Sequence, residues 1–230
     1  MPTGKACVGN LVVEAGDLDR GGADIRDHSA EVRVTGHLIV ISGLPGVGKT
    51  SLAEIDVARL GSVRPSIDAV EESIPAFGLP SGWQTGVAAY EATRAMAELN
   101  LLLGRSVVVD AVNDSEEARQ TWRSAASRTG AHIDFVHLVI PDVREHRRRL
   151  RGRDRGLAFV GEPTWLDVVR RRAGYAAWTD EVIELDAEVR TADEIAGVLC
   201  AHLGPSEPAH RRSLSVPEHG AAQPARRGLA

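Results

Sequence analysis

A glycine-rich segment that follows a short apolar run restricts the possible folds of this chain more than any other feature. The apolar run is LIVI at residues 38–41, and the segment after it reads Gly43-Leu44-Pro45-Gly46-Val47-Gly48-Lys49-Thr50. It matches the pattern G-x-x-x-x-G-K-[ST], in which glycines let backbone N–H groups approach a polyphosphate closely. Leu52 and Ile55 then follow at helical spacing. The sequence therefore predicts a phosphate-binding loop between a buried strand and an α-helix.

The end of this segment carries the polar groups that a bound nucleotide needs. A helix that begins near Lys49 would direct its free N–H groups and the positive end of its dipole at the phosphates. We expect Lys49 to contact the β- and γ-phosphates and the Thr50 hydroxyl to bind Mg²⁺. The predicted nucleotide contacts extend to Ser51. The guanine-specific motif N-K-x-D is absent from the sequence, which favours ATP over GTP.

Composition limits the class of protein. A chain of 230 residues can form one sizeable α/β core. Its net charge of −5 argues against a general binder of nucleic acids or anionic membranes. No apolar run approaches the length of a membrane span, and the N-terminus lacks the pattern of a secretory signal. Cys7 and Cys200 show no metal-binding or redox spacing. We therefore expect a cytoplasmic protein with reduced cysteines.

The chain divides into three parts by composition. Residues 1–36 mix glycine with scattered aspartates and predict a loose extension or an additional edge hairpin. Residues 37–203 contain the alternating apolar and amphipathic segments of a nucleotide-binding domain. Residues 204–230 are rich in Pro, Ser, Ala, Gly, Arg and His and lack periodicity. This last part is predicted to be a disordered tail.

Two acidic residues follow segments that we predict to be strands. Residues 64–70 read as a short second strand that ends in Asp68, and a VVV run at 107–109 leads into Asp110. In doubly wound sheets, ligands bind beyond the carboxyl ends of the strands. Asp68 could therefore accept the proton of an acceptor hydroxyl, or it could equally cap the following helix. Asp110 occupies the position of an acid that holds Mg²⁺ or its water shell.

Seven arginines lie within residues 144–155. The first three belong to a predicted solvent-exposed helix face. We expect three of the others, Arg149, Arg153 and Arg155, to belong to a mobile lid over the triphosphate. Guanidinium groups there would neutralise the transferring phosphoryl group, and closure would exclude water. Contact with a nucleic-acid backbone is a further possibility for this basic segment.

The remaining segments complete an alternating α/β pattern. Strands are predicted at 135–140 and 181–186, with His137 as a sheet residue rather than a catalyst. Helices are predicted at about 85–103 and 192–203. The loop at 75–86, which contains Phe77 and Trp83, could line an acceptor pocket or anchor itself to the core.

The order of these parts carries a family resemblance. The parts are residues 43–50, Asp68, Val107–Asp110 with Asn113, Arg119 and Trp122, residues 149–153 and the Pro-Thr-Trp sequence at 163–165. This order resembles the P-loop small-molecule kinases of the polynucleotide-kinase-like and zeta-toxin-like group, whose members are often described only as AAA-family ATPases. The resemblance covers about residues 37–203. It implies a three-layer α/β P-loop NTPase fold of the nucleotide-kinase type, with a parallel five-stranded sheet in the order 2-3-1-4-5.

The resemblance also implies roles for individual residues. Lys49 and Thr50 match the residues that hold phosphate and Mg²⁺. Asp68 matches the aspartate that activates the acceptor, and this favours catalysis over capping. Asp110 matches an acid on either the Mg²⁺ side or the acceptor side. Arg149 and Arg153 match the lid arginines, and Arg153 is also expected to contact the nucleotide.

The function expected from these roles is ATP-dependent phosphoryl transfer. The acceptor would be a hydroxyl group of a small molecule such as an antibiotic, a nucleoside or a sugar-like metabolite. A kinase for the 5′-hydroxyl of a nucleic acid is the first alternative. A nucleotide-dependent switch ATPase without an acceptor is the second. The sequence identifies neither the acceptor nor the oligomeric state.

Overall fold

The computed structural model describes residues 36–203. The predicted tail, and the predicted N-terminal extension apart from Gly36, lie outside the described residues. The elements follow in this order: β1 (His37–Ser42), α1 (Lys49–Leu60), α2 (Ile67–Ala76), α3 (Trp83–Leu102), β2 (Val107–Asp110), α4 (Glu116–Thr129), β3 (His132–Val139), α5 (Val143–Arg151), α6 (Trp165–Ala173), β4 (Val182–Asp186) and α7 (Ala192–Leu203). Between residues 36 and 203, no helix combines the length and apolarity needed to traverse a bilayer.

The four strands form one parallel sheet in the order β2-β1-β3-β4. β1 is central, with Leu38 opposite both Val107 of β2 and Ile133 of β3. Its residues are buried because helices cover both faces of the sheet, as is usual for all-parallel sheets. The carboxyl ends of β1 and β2 lie side by side, with Ile41 opposite Asp110. This edge carries the glycine-rich segment.

Two hydrophobic clusters make up the core, one on each face of the sheet. Alternate residues of β1 enter different clusters because side chains along a strand point to opposite faces. Ile39 packs with Leu52 of α1 and Leu199 of α7. Leu38 packs with Leu101 of α3 and with Trp122, a fully buried residue of α4. The predicted three-layer α/β arrangement is therefore observed.

The predicted strand at 64–70 is wrong. Val63 makes an isolated parallel bridge to Val107, and its backbone bonds reach Ser106 and Val108. Continuing this ladder would require a backbone N–H at position 65, and Pro65 has none. The side chain of Ser66 instead accepts the Ala69 N–H and begins α2.

The sheet order is corrected accordingly. The structure has four strands and not five, so the predicted order 2-3-1-4-5 does not hold. The other four predicted strands all form. Asp68 lies in the first turn of α2, where a negative side chain is favoured by the helix dipole, and not at the end of a strand.

Candidate functional site

The glycine-rich segment forms the loop between β1 and α1, as predicted. A Cβ atom at Gly43 would lie 2.5 Å from the Leu138 carbonyl oxygen, and φ at Gly43 is +142°. At Gly46, where φ is +90°, a Cβ atom would lie 3.2 Å from the Leu150 Cα. Side chains at these positions would push the loop away from the core. Gly48 precedes α1 without a side-chain cap from the described residues. The N–H groups of the first turn are thus left for an anion.

Lys49 is buried at the base of this loop. The residue is 8 % exposed, and its ammonium group donates a hydrogen bond to the Leu44 carbonyl oxygen at 3.1 Å. Burial lowers the pKa of Lys49 to about 8, although the carboxylates of Asp110 and Asp68 oppose this shift. A buried ammonium group lacks full hydration and gains most from an anionic partner such as a phosphate.

Thr50 and Asp110 contact each other. The Thr50 hydroxyl donates to Asp110 Oδ2 at 2.8 Å, and Arg64 Nε donates to Asp110 Oδ1 at 3.1 Å. Hydroxyl and carboxylate oxygens are the ligands that Mg²⁺ prefers, so these residues fit a magnesium ion beside the loop. Arg64 was not predicted as a site residue, because its contact depends on the turn at Pro65.

Asp68 faces the same cleft from α2. Arg155 Nη1 lies 3.2 Å from Asp68 Oδ2, and Arg153 Nη2 lies 3.7 Å from the same atom. Both contacts are to Oδ2, which leaves Oδ1 outside these ion pairs. Glu162 contacts the same two arginines, at 3.0 Å from Arg155 Nε and 4.0 Å from Arg153 Nε. The structure therefore brings Asp68 and two of the three predicted lid arginines together.

Residues 152–164, here called the lid segment, are also bound to α2 through their backbone. The carboxylate of Glu72 accepts hydrogen bonds from the N–H groups of Ala158, Phe159 and Val160, at 2.6 to 3.2 Å. One side chain of α2 thus holds three consecutive residues of the lid segment. Sequence reasoning missed Glu72, since a half-buried glutamate on a helix carries no distinguishing signal.

Arg149 has different partners from the other predicted lid arginines. It lies in α5, where its Nε donates to Glu145 at 2.6 Å and its Nη1 donates to the Ala187 carbonyl oxygen at 2.8 Å. It nevertheless lines the cleft together with Arg153. Its guanidinium group joins α5 to the segment that follows β4.

One cleft of about 610 Å³ is lined by Lys49, Thr50, Arg64, Asp68 and the three predicted lid arginines. Six of the predicted nucleotide residues line it directly: Gly46, Gly48, Lys49, Thr50, Ser51 and Arg153. The other four belong to the loop but do not line the cleft. Leu44 and Val47 instead line a second, separate cavity of about 300 Å³. Gly43 makes the close approach to Leu138, and Pro45 accepts a hydrogen bond described below.

A family model described as an AAA domain matches residues 38–174, from β1 through α6. The chain belongs to this family. The matched residues include the glycine-rich loop, Asp68, Asp110 and the lid segment. Among curated proteins, none matches the sequence at a significant level.

Solved structures of kinases share the fold of this AAA domain. The sugar kinase from Janibacter sp. HTCC2649 is 17 % identical, with 74 % of this chain and 96 % of that chain covered and a TM-score of 0.57. The Mycobacterium tuberculosis APS kinase is 20 % identical, with coverage of 73 % and 97 % and a TM-score of 0.56. The gluconokinase from Sinorhizobium meliloti 1021 is 21 % identical, with coverage of 74 % and 97 % and a TM-score of 0.50. The predicted relationship to P-loop small-molecule kinases is confirmed, and at these identities the likeness shows the fold.

A buried histidine supports the tip of the loop in this AAA domain. His146 of α5 is fully buried, and its Nε2–H donates to the Pro45 carbonyl oxygen at 2.7 Å. Arg172 of α6 donates to His146 Nδ1 at 2.8 Å, so the imidazole is neutral with its proton on Nε2. Burial lowers the pKa of His146 and favours this neutral form. No sequence pattern pointed to His146, which lies among the arginines of α5.

A second buried network fixes the segment after Asp110. Asn113, with φ of +52°, donates to the Ser42 hydroxyl at 2.8 Å and accepts from Trp122 Nε1 at 3.0 Å. Arg119 is fully buried and donates to the carbonyl oxygens of Asn113, Ala176 and Ala177. Its guanidinium carbon lies 3.8 Å from the ring centroid of Trp178. These contacts link β1, α4 and the segment after α6 beneath the cleft.

Proposed function

We propose that this protein is an ATP-dependent kinase that transfers the γ-phosphoryl group to a hydroxyl of a small molecule. One observation carries the proposal: the Asp68 carboxylate shares a single cleft with Lys49 and Thr50. A phosphate-binding loop alone would suit any ATPase. A carboxylate across the cleft is the additional group that a phosphoryl acceptor requires.

The phosphate side of the reaction is assigned to five residues. The first-turn N–H groups of α1 and the Lys49 ammonium group bind the phosphates and neutralise their charge. Mg²⁺, held by Thr50 and Asp110, would supply further charge neutralisation at the phosphate oxygens. Arg153 in the lid segment stabilises the negative charge of the transferring group, with Arg149 beside it. Closure of the lid segment excludes water that would otherwise hydrolyse ATP.

The acceptor side is assigned to Asp68. Because the arginines approach Oδ2, Oδ1 can accept the proton of an acceptor hydroxyl. The hydroxyl oxygen forms the new bond to the γ-phosphorus as the bond to ADP breaks, and the proton passes to Asp68. Arg155 keeps the carboxylate oriented toward the cleft. Asp110 is engaged by Thr50 and Arg64, and this favours Asp68 as the base.

Structures of similar fold support a small-molecule acceptor. Their descriptions name a sugar kinase, an APS kinase and a gluconokinase. The match to this chain covers more than nine-tenths of each of these three solved chains. A domain of this size therefore makes up nearly all of each of those solved kinase chains.

The test is acceptor-stimulated ADP release. The purified protein with Mg²⁺ and ATP is assayed against sugars, polyols, nucleosides, hydroxylated antibiotics and a 5′-hydroxyl oligonucleotide. We expect at least one small molecule to stimulate ADP release and to gain a phosphate detectable by mass spectrometry. Asp68→Asn should lose this stimulation by about 100-fold or more while retaining nucleotide affinity. Glu181→Gln, which removes an exposed carboxylate outside the cleft, is the matched control.

Two results would overturn the proposal in different ways. Stimulation by the oligonucleotide alone, falling steeply with salt, would identify a nucleic-acid kinase. Steady ADP release that no acceptor stimulates, and that Asp68→Asn leaves unchanged, would identify a nucleotide-dependent ATPase.

A further inference from the structure

Two histidines begin neighbouring strands at the end of the sheet opposite the cleft. His37 is the first residue of β1, and His132 is the first residue of β3. The parallel register places them directly opposite each other. The cleft residues follow the carboxyl ends of the strands, so the two histidines lie at the opposite edge of the sheet from the proposed kinase site.

An aspartate completes this group on the same face of the sheet. Asp134 comes two residues after His132, and alternate residues of a strand share a face. Asp134 Oδ2 lies 3.1 Å from His132 Nδ1 and 3.9 Å from His37 Nδ1. A set of ligand atoms, one from each residue, lies within 4.8 Å of one another. The two imidazole rings have their centroids 5.3 Å apart.

These separations match the ligand shell of a small divalent metal ion. In a tetrahedral zinc site, bonds of about 2.0–2.2 Å place neighbouring ligand atoms roughly 3.3 Å apart. The two distances to Asp134 lie on either side of that value. Two imidazoles and one carboxylate suit Zn²⁺ and other late transition metals, whereas Mg²⁺ and Ca²⁺ prefer oxygen ligands alone.

The charge and the solvent exposure of this group of residues also favour a bound metal ion. Asp134 is largely buried, with its side chain 13 % exposed, whereas His132 is 65 % exposed. In the described part of the chain, the recorded ion-pair partners of Asp134 are the two histidines, with no arginine or lysine among them. Among residues 36–203, the carboxylate thus has no arginine or lysine as an ion-pair partner. Solvent can reach the group through the exposed imidazole.

We propose that His37, His132 and Asp134 bind one divalent transition-metal ion, with Zn²⁺ as the preferred ion. The three residues supply three ligands and leave one coordination position for water. The ion would connect β1 to β3 at their amino ends, because His37 belongs to one strand and the other two ligands belong to its neighbour. The site is independent of the phosphate loop and requires no nucleotide.

The test uses zinc binding by the full chain. The protein is treated with EDTA, exchanged into buffer at pH 7.5 and titrated with ZnCl₂ by calorimetry. We expect one equivalent of zinc to bind, and thermal unfolding to shift upward with zinc and return with EDTA. His132→Gln and Asp134→Asn should each weaken this binding by about tenfold or more, because each removes one of three ligands.

Matched variants separate this site from other metal ligands. His202→Gln removes an exposed histidine outside the group and should leave the high-affinity equivalent unchanged. Lys49→Ala should also leave zinc binding unchanged, so failure of the kinase proposal does not affect this test. The unfolding temperatures of the EDTA-treated variants report whether each variant is folded. Zinc binding that is equally tight in wild type, His132→Gln and Asp134→Asn, or absent from wild type, would overturn the proposal.

Discussion

Asp56 is an acidic residue in the interior of the protein. It lies in α1 and is fully buried. Neither oxygen accepts a hydrogen bond from residues 36–203. Burial raises the pKa of Asp56 from 3.8 to about 6, although Arg59 opposes this shift. We predict that Asp56→Asn stabilises the protein relative to wild type as the pH rises from 4.5 to 7.5.

The sign and size follow from the linkage between protonation and folding. The folded state holds the proton more strongly than the unfolded state, so ionisation of Asp56 costs stability as the pH rises from about 4 through 6. A shift of about 2 pKa units corresponds to roughly 3 kcal/mol above pH 7. About 1 kcal/mol of this cost is already present at pH 4.5. The stability difference between variant and wild type should therefore change by about 2 kcal/mol between the two pH values.

Urea unfolding at pH 4.5 and 7.5 measures this difference. Other titrating groups act in both proteins and cancel, as does any packing change caused by the amide. Glu54→Gln, which removes an exposed carboxylate from the same helix, is the control and should show no comparable pH dependence. A difference for Asp56→Asn that is equal at both pH values would refute the reasoning and show that the carboxylate is compensated.

Three further predictions concern the site and its support. Lys49→Ala should reduce ADP release by about 100-fold or more in a single-turnover assay, with an unchanged unfolding temperature. Arg119→Met leaves three backbone carbonyls without their donor, and should cost about 2–4 kcal/mol in urea unfolding. Gly46→Ala places a methyl group against Leu150 and should weaken nucleotide binding in calorimetry, while Gly78→Ala, which meets nothing within 4 Å, should not.

Local sequence patterns predicted the core elements well. The loop formed by the glycine-rich segment could be predicted from its own residues alone. The φ values at Gly43 and Gly46 and their close contacts exclude most side chains. The ends of helices also depend on local residues. α1 ends before Gly61, whose left-handed conformation lets its N–H donate to the Val57 carbonyl oxygen. The final helix begins at Ala192 as predicted.

The wrong prediction of a strand at residues 64–70 has a local cause in the sequence. Pro65 and Ser66 together stop a strand and begin a helix. The strand was predicted because the segment also shows apolar residues followed by an acid. Asp68 still reached the cleft, because a turn after the Val63 bridge lies at the same edge of the sheet. The chemistry assigned to that position therefore did not depend on the element that carries it.

Contacts between distant elements could not be predicted. Glu72 reaches the backbone of the lid segment across more than eighty residues, and His146 reaches Pro45 across 101. Each contact depends on the relative placement of two helices or loops. No residue pattern within either partner distinguishes such a glutamate or histidine from one that faces solvent.

The central claim is that one cleft holds a triphosphate on the loop and an acceptor hydroxyl at Asp68. A crystal structure with Mg²⁺ and a non-hydrolysable ATP analogue tests it most directly. The account predicts phosphate oxygens within hydrogen-bond distance of Lys49 Nζ, the ion bound at Thr50, and the Asp68 carboxylate facing the γ-phosphate. Phosphates bound away from the loop, or an Asp68 side chain turned out of the cleft, would contradict it.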